Sequence, residues 1–255
     1  MLFRNGLKAA ALSVALFALP VAPALAETII VKASGPSART FPPGRKLADN
    51  SSITLRAGDL LILLDGRGTR TLRGPGTFGT SATAVAARDT RTTLASLLEG
   101  KRVRRARTGA VRGVGGDEGP VRSPNLWYVD VSQSSTVCVP DPANIQLWRP
   151  DTMEAINVTA TSKANGKSAT FAFPAGTSTV SFPTAQLPVM DGSVYSLTWP
   201  GLAAPVEIGF SVMETKAEGL ESTVSMLITR KCEAQLNLVV ETVALPDPAS
   251  DTPAG

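Results

Sequence analysis

The chemistry open to this chain is bounded first by what it lacks. Its 255 residues contain no histidine, which removes histidine triads, histidine metal ligands and histidine pH switches. A serine nucleophile needs an activating base, yet there is no G-x-S-x-G and no Ser three residues before a Lys. Four aspartates, Asp130, Asp141, Asp151 and Asp191, are the candidates for a carboxylate pair of the kind that hydrolyses glycosides. All four stand at turns or strand ends, where Asp more commonly caps the chain. Gly74-Pro75-Gly76-Thr77-Phe78-Gly79 matches G-x-G-x-x-G. A dinucleotide site needs a helix opening on those glycines and an acid about 20 residues on. Here Pro75 lies inside the turn and the nearest acid is Asp89, so the stretch reads as a glycine-rich turn. No cofactor and no metal site is expected.

Cys138 and Cys232 are the only cysteines. In an exported chain two cysteines most often form one disulfide, the alternative being two buried thiols. Trp127, Tyr128 and Trp148, with Trp199, are candidates for a ligand groove, although such residues more often anchor the core of a sandwich. Trp127 and Tyr128 are adjacent, so on a strand they face opposite sides. Lys101, Arg102, Arg104, Arg105 and Arg107 form a basic run. It suits an acidic envelope protein or a polyanionic envelope surface better than nucleic acid, because the chain carries an export signal.

That signal is residues 1–26. Arg4 and Lys8 make a basic start, an apolar run follows, and Ala24-Leu25-Ala26 fits small-x-small cleavage. The apolar run is short for a membrane span and ends at Pro20. A cleaved, periplasmic protein without a transmembrane segment is the expectation. Charge divides what remains. Residues 27–125 hold 17 basic and 8 acidic residues, a net +9, and residues 126–255 hold 6 and 13, a net −7. The split suggests two modules, 27–100 and 125–245. A basic, glycine-rich linker, 101–124, joins them, and a Pro- and Asp-rich tail, 246–255, is expected to be disordered. A weak, salt-sensitive contact between the modules is expected from their opposite charge.

The elements that must position these residues are mainly strands. Residues 28–33 are an apolar strand. Ile53 and Leu55 alternate with Thr54 and Arg56, residues 60–64 are a continuous apolar run that can be buried on both faces, and 69–73 alternate again. Together they predict a small antiparallel meander or barrel-like module, closed by Gly74-Pro75-Gly76. Leu94, Leu97 and Leu98 predict a short helix over 92–99 stopped by Gly100. From residue 125 short strands recur at 136–139, 144–148, 155–161, 168–173, 179–182, 194–199 and 206–213. Turn signals such as Asn165-Gly166 separate them, the pattern of a β-sandwich. Aromatic residues are 5% of the chain, so a core of Val, Leu, Ile and Ala is expected. From Leu220 to Val243 the apolar positions follow one helical stripe, Leu220, Val224, Leu227, Ile228, Cys232, Leu236, Val239 and Val243. This predicts one C-terminal helix packed on the sandwich and pinned there by a Cys138–Cys232 bond. The fold class is therefore mainly β, with one packed C-terminal helix.

The cadence Leu47-Ala48-Asp49-Asn50-Ser51-Ser52-Ile53-Thr54-Leu55, then Ala57-Gly58-Asp59, then Gly68-Thr69-Arg70-Thr71-Leu72 resembles the periplasmic domain of FecR-type regulators. The resemblance covers residues 28–80. It implies a non-enzymatic β-module for sensing or scaffolding; the chain departs from the sigma-regulator members in the membrane and cytoplasmic parts that carry signal inward, so direct regulation of a sigma factor is not expected. Trp127-Tyr128-Val129-Asp130 and Lys231-Cys232-Glu233-Ala234-Gln235 resemble stretches of uncharacterised exported bacterial proteins and imply no activity. The functional expectation is a non-enzymatic sensing, binding or scaffolding protein of the cell envelope. The alternative is a carboxylate-based glycan-active enzyme or a glycan-binding module.

Overall fold

The computed structural model describes residues 28–48, 50–65, 68–80, 90–99, 122–214, 217 and 219–243. The expected export signal, the basic run 101–107 and the tail lie outside them. No helix among the described residues is long and apolar enough to cross a membrane. The protein is mainly β, with three helices among the described residues.

In the first half, β1 (Thr28–Ser34), β2 (Lys46–Leu47), β4 (Leu60–Asp65) and β5 (Gly68–Arg73) form one antiparallel sheet in the order β2-β1-β4-β5. β3 (Ser52–Leu55) pairs with β6 (Gly76–Gly79) in a separate ribbon. The expected meander is corrected here. β3 does not pair with β4, because β1 takes that edge of β4 with a bulge between Ile30 and Lys32. Gly74-Pro75-Gly76 leads straight into β6, so no helix opens on the glycine motif. The apolar run of β4 is covered on both faces, as its composition suggests. Leu61 and Leu63 join Ile30, Ile53, Leu55 and Leu72 in one core, while Leu64 and Ile62 face another.

Asp59 ties the turns of this half together. Its carboxylate accepts the backbone N–H of Ser37 at 2.8 Å and of Arg56 at 2.5 Å, and its carbonyl accepts the N–H of Gly74. The chain passes close enough that a Cβ on Gly74 would sit 2.0 Å from the Arg56 oxygen, and Gly35 meets the carboxylate at a φ of +97°. Only glycine fits both places. Burial by itself raises the Asp59 pKa. The bonds from Ser37 and Arg56 and the Arg56 charge outweigh it and hold the acid below its usual 3.8. A carboxylate with a depressed folded-state pKa stabilises the fold above its unfolded value, and that contribution is lost as pH falls through the folded value. Acid titration should therefore loosen the first sheet below about pH 4. Asp59→Asn should lower the neutral-pH thermal midpoint and flatten this dependence. An unchanged acid profile in the variant would show that another group controls it.

The second half is a sandwich. One sheet runs β11-β10-β13-β14-β8, from β8 (Ser135–Val139), β10 (Ile156–Ser162), β11 (Ser168–Phe173), β13 (Val194–Thr198) and β14 (Val206–Val212). The other runs β12-β9-β7, from β7 (Val129–Asp130), β9 (Gln146–Trp148) and β12 (Thr179–Ser181). β8 joins β14 in parallel and is the last strand of its sheet. Leu147, Val158, Leu197 and Ile208 fill the core. Its centre is more aromatic than composition suggested, with Phe171, Phe173, Phe182, Tyr195 and Phe210 in ring contacts of 5.2–6.3 Å. The Tyr195 hydroxyl donates to the Pro188 carbonyl at 2.7 Å.

The C-terminal stripe divides into two helices, α2 (Gly219–Thr229) and α3 (Glu233–Thr242). At the elbow the N–H of Cys232 bonds the carbonyl of Leu227 and that of Lys231 bonds Ile228. Lys231 has a left-handed φ of 58°. This is a Schellman stop with lysine where glycine is usual. The Cys138–Cys232 disulfide, with Cα atoms 5.8 Å apart, holds the elbow against β8.

These helices also touch the first half. With α1 (Thr90–Glu99) they build a third apolar core. It contains Val31 and Leu64 from the first sheet, Leu97 from α1, Leu126, Cys138 and Met213 from the sandwich half, and Val224, Leu227, Leu236 and Val239 from the helices. Thr69 of β5 caps the end of α3, donating its N–H to Val243 and its hydroxyl to Val240. The carbonyl of Leu97 accepts the N–H of Leu126. Lys46 and Glu221 pair at the rim at 2.8 Å. The expected contact of opposite charges is thus mainly apolar, and salt screens the rim pair without weakening burial.

Candidate functional site

Between β7, β8 and α3 lies a cleft of about 550 Å³. β7 and the turn after it supply Asp130, Ser132 and Gln133, β8 supplies Ser135 and Val137, and α3 supplies Gln235, Asn237, Leu238 and Glu241. Tyr128 and Arg122 complete the wall. Its volume lies within the ~300–1,000 Å³ of small-molecule sites.

The cleft exists because an edge strand needs a cover. Within β8 the Cys138 N–H and C=O point away from β14, toward what would otherwise be an open edge. Gln235 of α3 closes it. Its carbonyl oxygen accepts the Cys138 N–H at 2.6 Å, and its amide donates to the Cys138 and Leu126 carbonyls at 3.0 and 2.8 Å. The side chain is 4% exposed, so it completes the sheet in place of a strand. Reading the sequence as a stripe of apolar residues passes over it. The available signal was a glutamine at a stripe position, three residues after Cys232.

Besides Gln235, Asp130 is the polar group of the wall that the protein itself holds. One Asp130 oxygen accepts both the N–H and the hydroxyl of Ser132, at 2.9 and 2.6 Å, and the other accepts Gln133 at 3.2 Å. Arg122 and Glu241 pair at 2.8 Å with both side chains nearly half exposed, a geometry that contributes about 0–1 kcal/mol. The Ser135 hydroxyl is shielded from solvent and has no partner among the described residues.

The sequence-nominated residues fare differently. Of the four aspartates only Asp130 reaches the cleft. Asp141 caps its own turn through the N–H of Ala143, and Asp151 does so through Met153. Asp191 accepts the N–H of Val212 and pairs with Arg230 at 3.4 Å. The second carboxylate of the cleft is Glu241. Tyr128 lines the wall, whereas Trp127 is half-buried against the helical core. Both lie in the turn before β7, so the opposite-face argument for a strand does not apply. Trp148 is 3% exposed and buried, which removes it from any groove. Trp199 packs against the sandwich core. Lys101, Arg102, Arg104, Arg105 and Arg107 are outside the described residues. No protein-family model, no curated protein and no solved structure matches the chain.

Proposed function

We infer that this chain is an exported, periplasmic protein of the cell envelope that binds, senses or scaffolds and does not catalyse. The observation that carries the reading is how the cleft's polar groups are held. Asp130 is engaged by its own turn and Gln235 by three backbone groups. Such a wall offers fixed hydrogen-bonding positions beside Tyr128 and suits recognition more than proton transfer. The buried disulfide supports an oxidising compartment. The resemblance of residues 28–80 to FecR-type domains supports sensing or scaffolding. The basic run Lys101, Arg102, Arg104, Arg105 and Arg107 then serves to engage an acidic envelope component.

A second reading has one observation behind it. Asp130 and Glu241 line the same cleft as an aromatic ring, the residue types of a glycan hydrolase or glycan-binding module. Incubation with cell-wall and capsular glycans separates the two. The expected result is no turnover, with any glycan retention lost in Tyr128→Ala. Turnover that disappears in Asp130→Asn would reverse the conclusion. Pull-down from envelope extract, with the five basic residues changed to Ala, tests the partner. Recovery insensitive to both substitution and salt would remove it.

A further inference from the structure

Around α3 from that cleft, with Asn237 on the rim of both, a second cleft of about 260 Å³ opens between the first sheet and the α2–α3 elbow. Its walls are Val31 and Ile62 from β1 and β4, and Leu227, Leu236 and Val240 from the helices. Lys32, Lys231 and Glu233 also line it. All three charged side chains are exposed, and none makes an ion pair or side-chain hydrogen bond among the described residues. The bulge in β1 sets Lys32 opposite Ile62, so one ammonium stands beside the apolar wall. The other belongs to the strained residue of the elbow. Lys231 holds a φ of 58° at the position where a Schellman stop favours glycine. Strain at a non-glycine residue is a pointer to function when the side chain has a use, and this side chain lines the cleft.

We propose that this cleft binds a free single-chain fatty carboxylate. The alkyl chain lies along the half-buried Ile62, Ile228 and Val240, and the carboxylate is held by Lys32 and Lys231. With Glu233 the three charges sum to +1, which favours an anionic head over a neutral or cationic one. The volume is below the ~300–1,000 Å³ of ordinary ligand sites, which suits one narrow chain and not a two-chain lipid. Burial of each methylene supplies the affinity, and the two ammonium groups supply the selectivity. This site shares only Asn237 with the β8–α3 cleft, and neither reading depends on the other.

Calorimetric titration of the full, oxidised chain with decanoate, below the concentration at which the amphiphile self-associates, tests it. Decanol and decyltrimethylammonium are the head-group controls. Decanoate is expected to bind, with both controls weaker by about tenfold or more. Lys231→Gly relieves the strained backbone, so its thermal midpoint should hold or rise while decanoate binding falls about tenfold. A merely structural lysine predicts the first change without the second. Lys32→Gln should weaken binding similarly, and Tyr128→Ala should leave it unchanged. Decanol binding as tightly as decanoate, or wild-type affinity in Lys231→Gly, overturns the proposal. So does binding to phosphatidylglycerol vesicles without binding to decanoate.

Discussion

Gln235→Leu should destabilise the protein by about 3–5 kcal/mol, although the substitution keeps the volume and adds apolar surface. Gln235 satisfies the Cys138 N–H, the Cys138 carbonyl and the Leu126 carbonyl at once. Leucine leaves those three backbone groups facing an apolar side chain. Each unsatisfied buried group costs about 1–3 kcal/mol, and the three are coupled, so the sum falls short of simple addition. Gln235→Glu should be damaging as well, because it keeps the acceptor, loses both donors and sets a charge against two carbonyl oxygens. Asn237→Ala, on the exposed face of the same helix, should change stability by no more than about 0.5 kcal/mol. Denaturant unfolding of the three variants measures the contrast. A loss under about 1 kcal/mol for Gln235→Leu would mean that water replaces the amide at the β8 edge.

Removing the disulfide, through Cys138→Ala with Cys232→Ala, should cost about 4–5 kcal/mol on the chain-entropy account. The bond closes a loop of sequence separation 94, and loops of that length lose the most unfolded-state freedom. The order in which regions loosen is the sharper part of this expectation. The sandwich core contains no residue of α2 or α3, whereas the helical core contains both cysteines along with Val31 and Leu64 of the first sheet. Hydrogen exchange should therefore show α2 and α3 losing protection first. The strands β1 and β5 should follow, since Val31 packs on the helices and Thr69 caps α3. β10 and β11 should stay protected longest. Simultaneous loss across the helices and β10 would contradict this division into cores.

How much of this was legible in the residues differs from element to element. β8, β10, β11, β13 and β14 lie close to where alternation and turn residues placed them, because a strand and its turns are specified within a few neighbouring positions. The mainly β class followed from those patterns. The disulfide followed from having two cysteines in a chain whose first residues read as an export signal. The double-sided burial of β4 was already written in its unbroken apolar run. The partner of β3 was not legible, because alternation says which face is buried and nothing about which strand lies alongside. Nor was the elbow, since Lys231 takes a glycine conformation without being glycine and the apolar stripe continues in phase across it. The cleft was half visible. Tyr128 and Asp130 were named in advance, but Trp148 turned inward and Glu241 came from an element far away in sequence. Residue types and spacing thus determined the elements, the covalent bond and the chemistry ruled out by the absence of histidine. Only tertiary structure decided which surfaces meet. That choice depends on long-range burial and on satisfying edge groups such as those of Cys138, and neither is encoded within a local window.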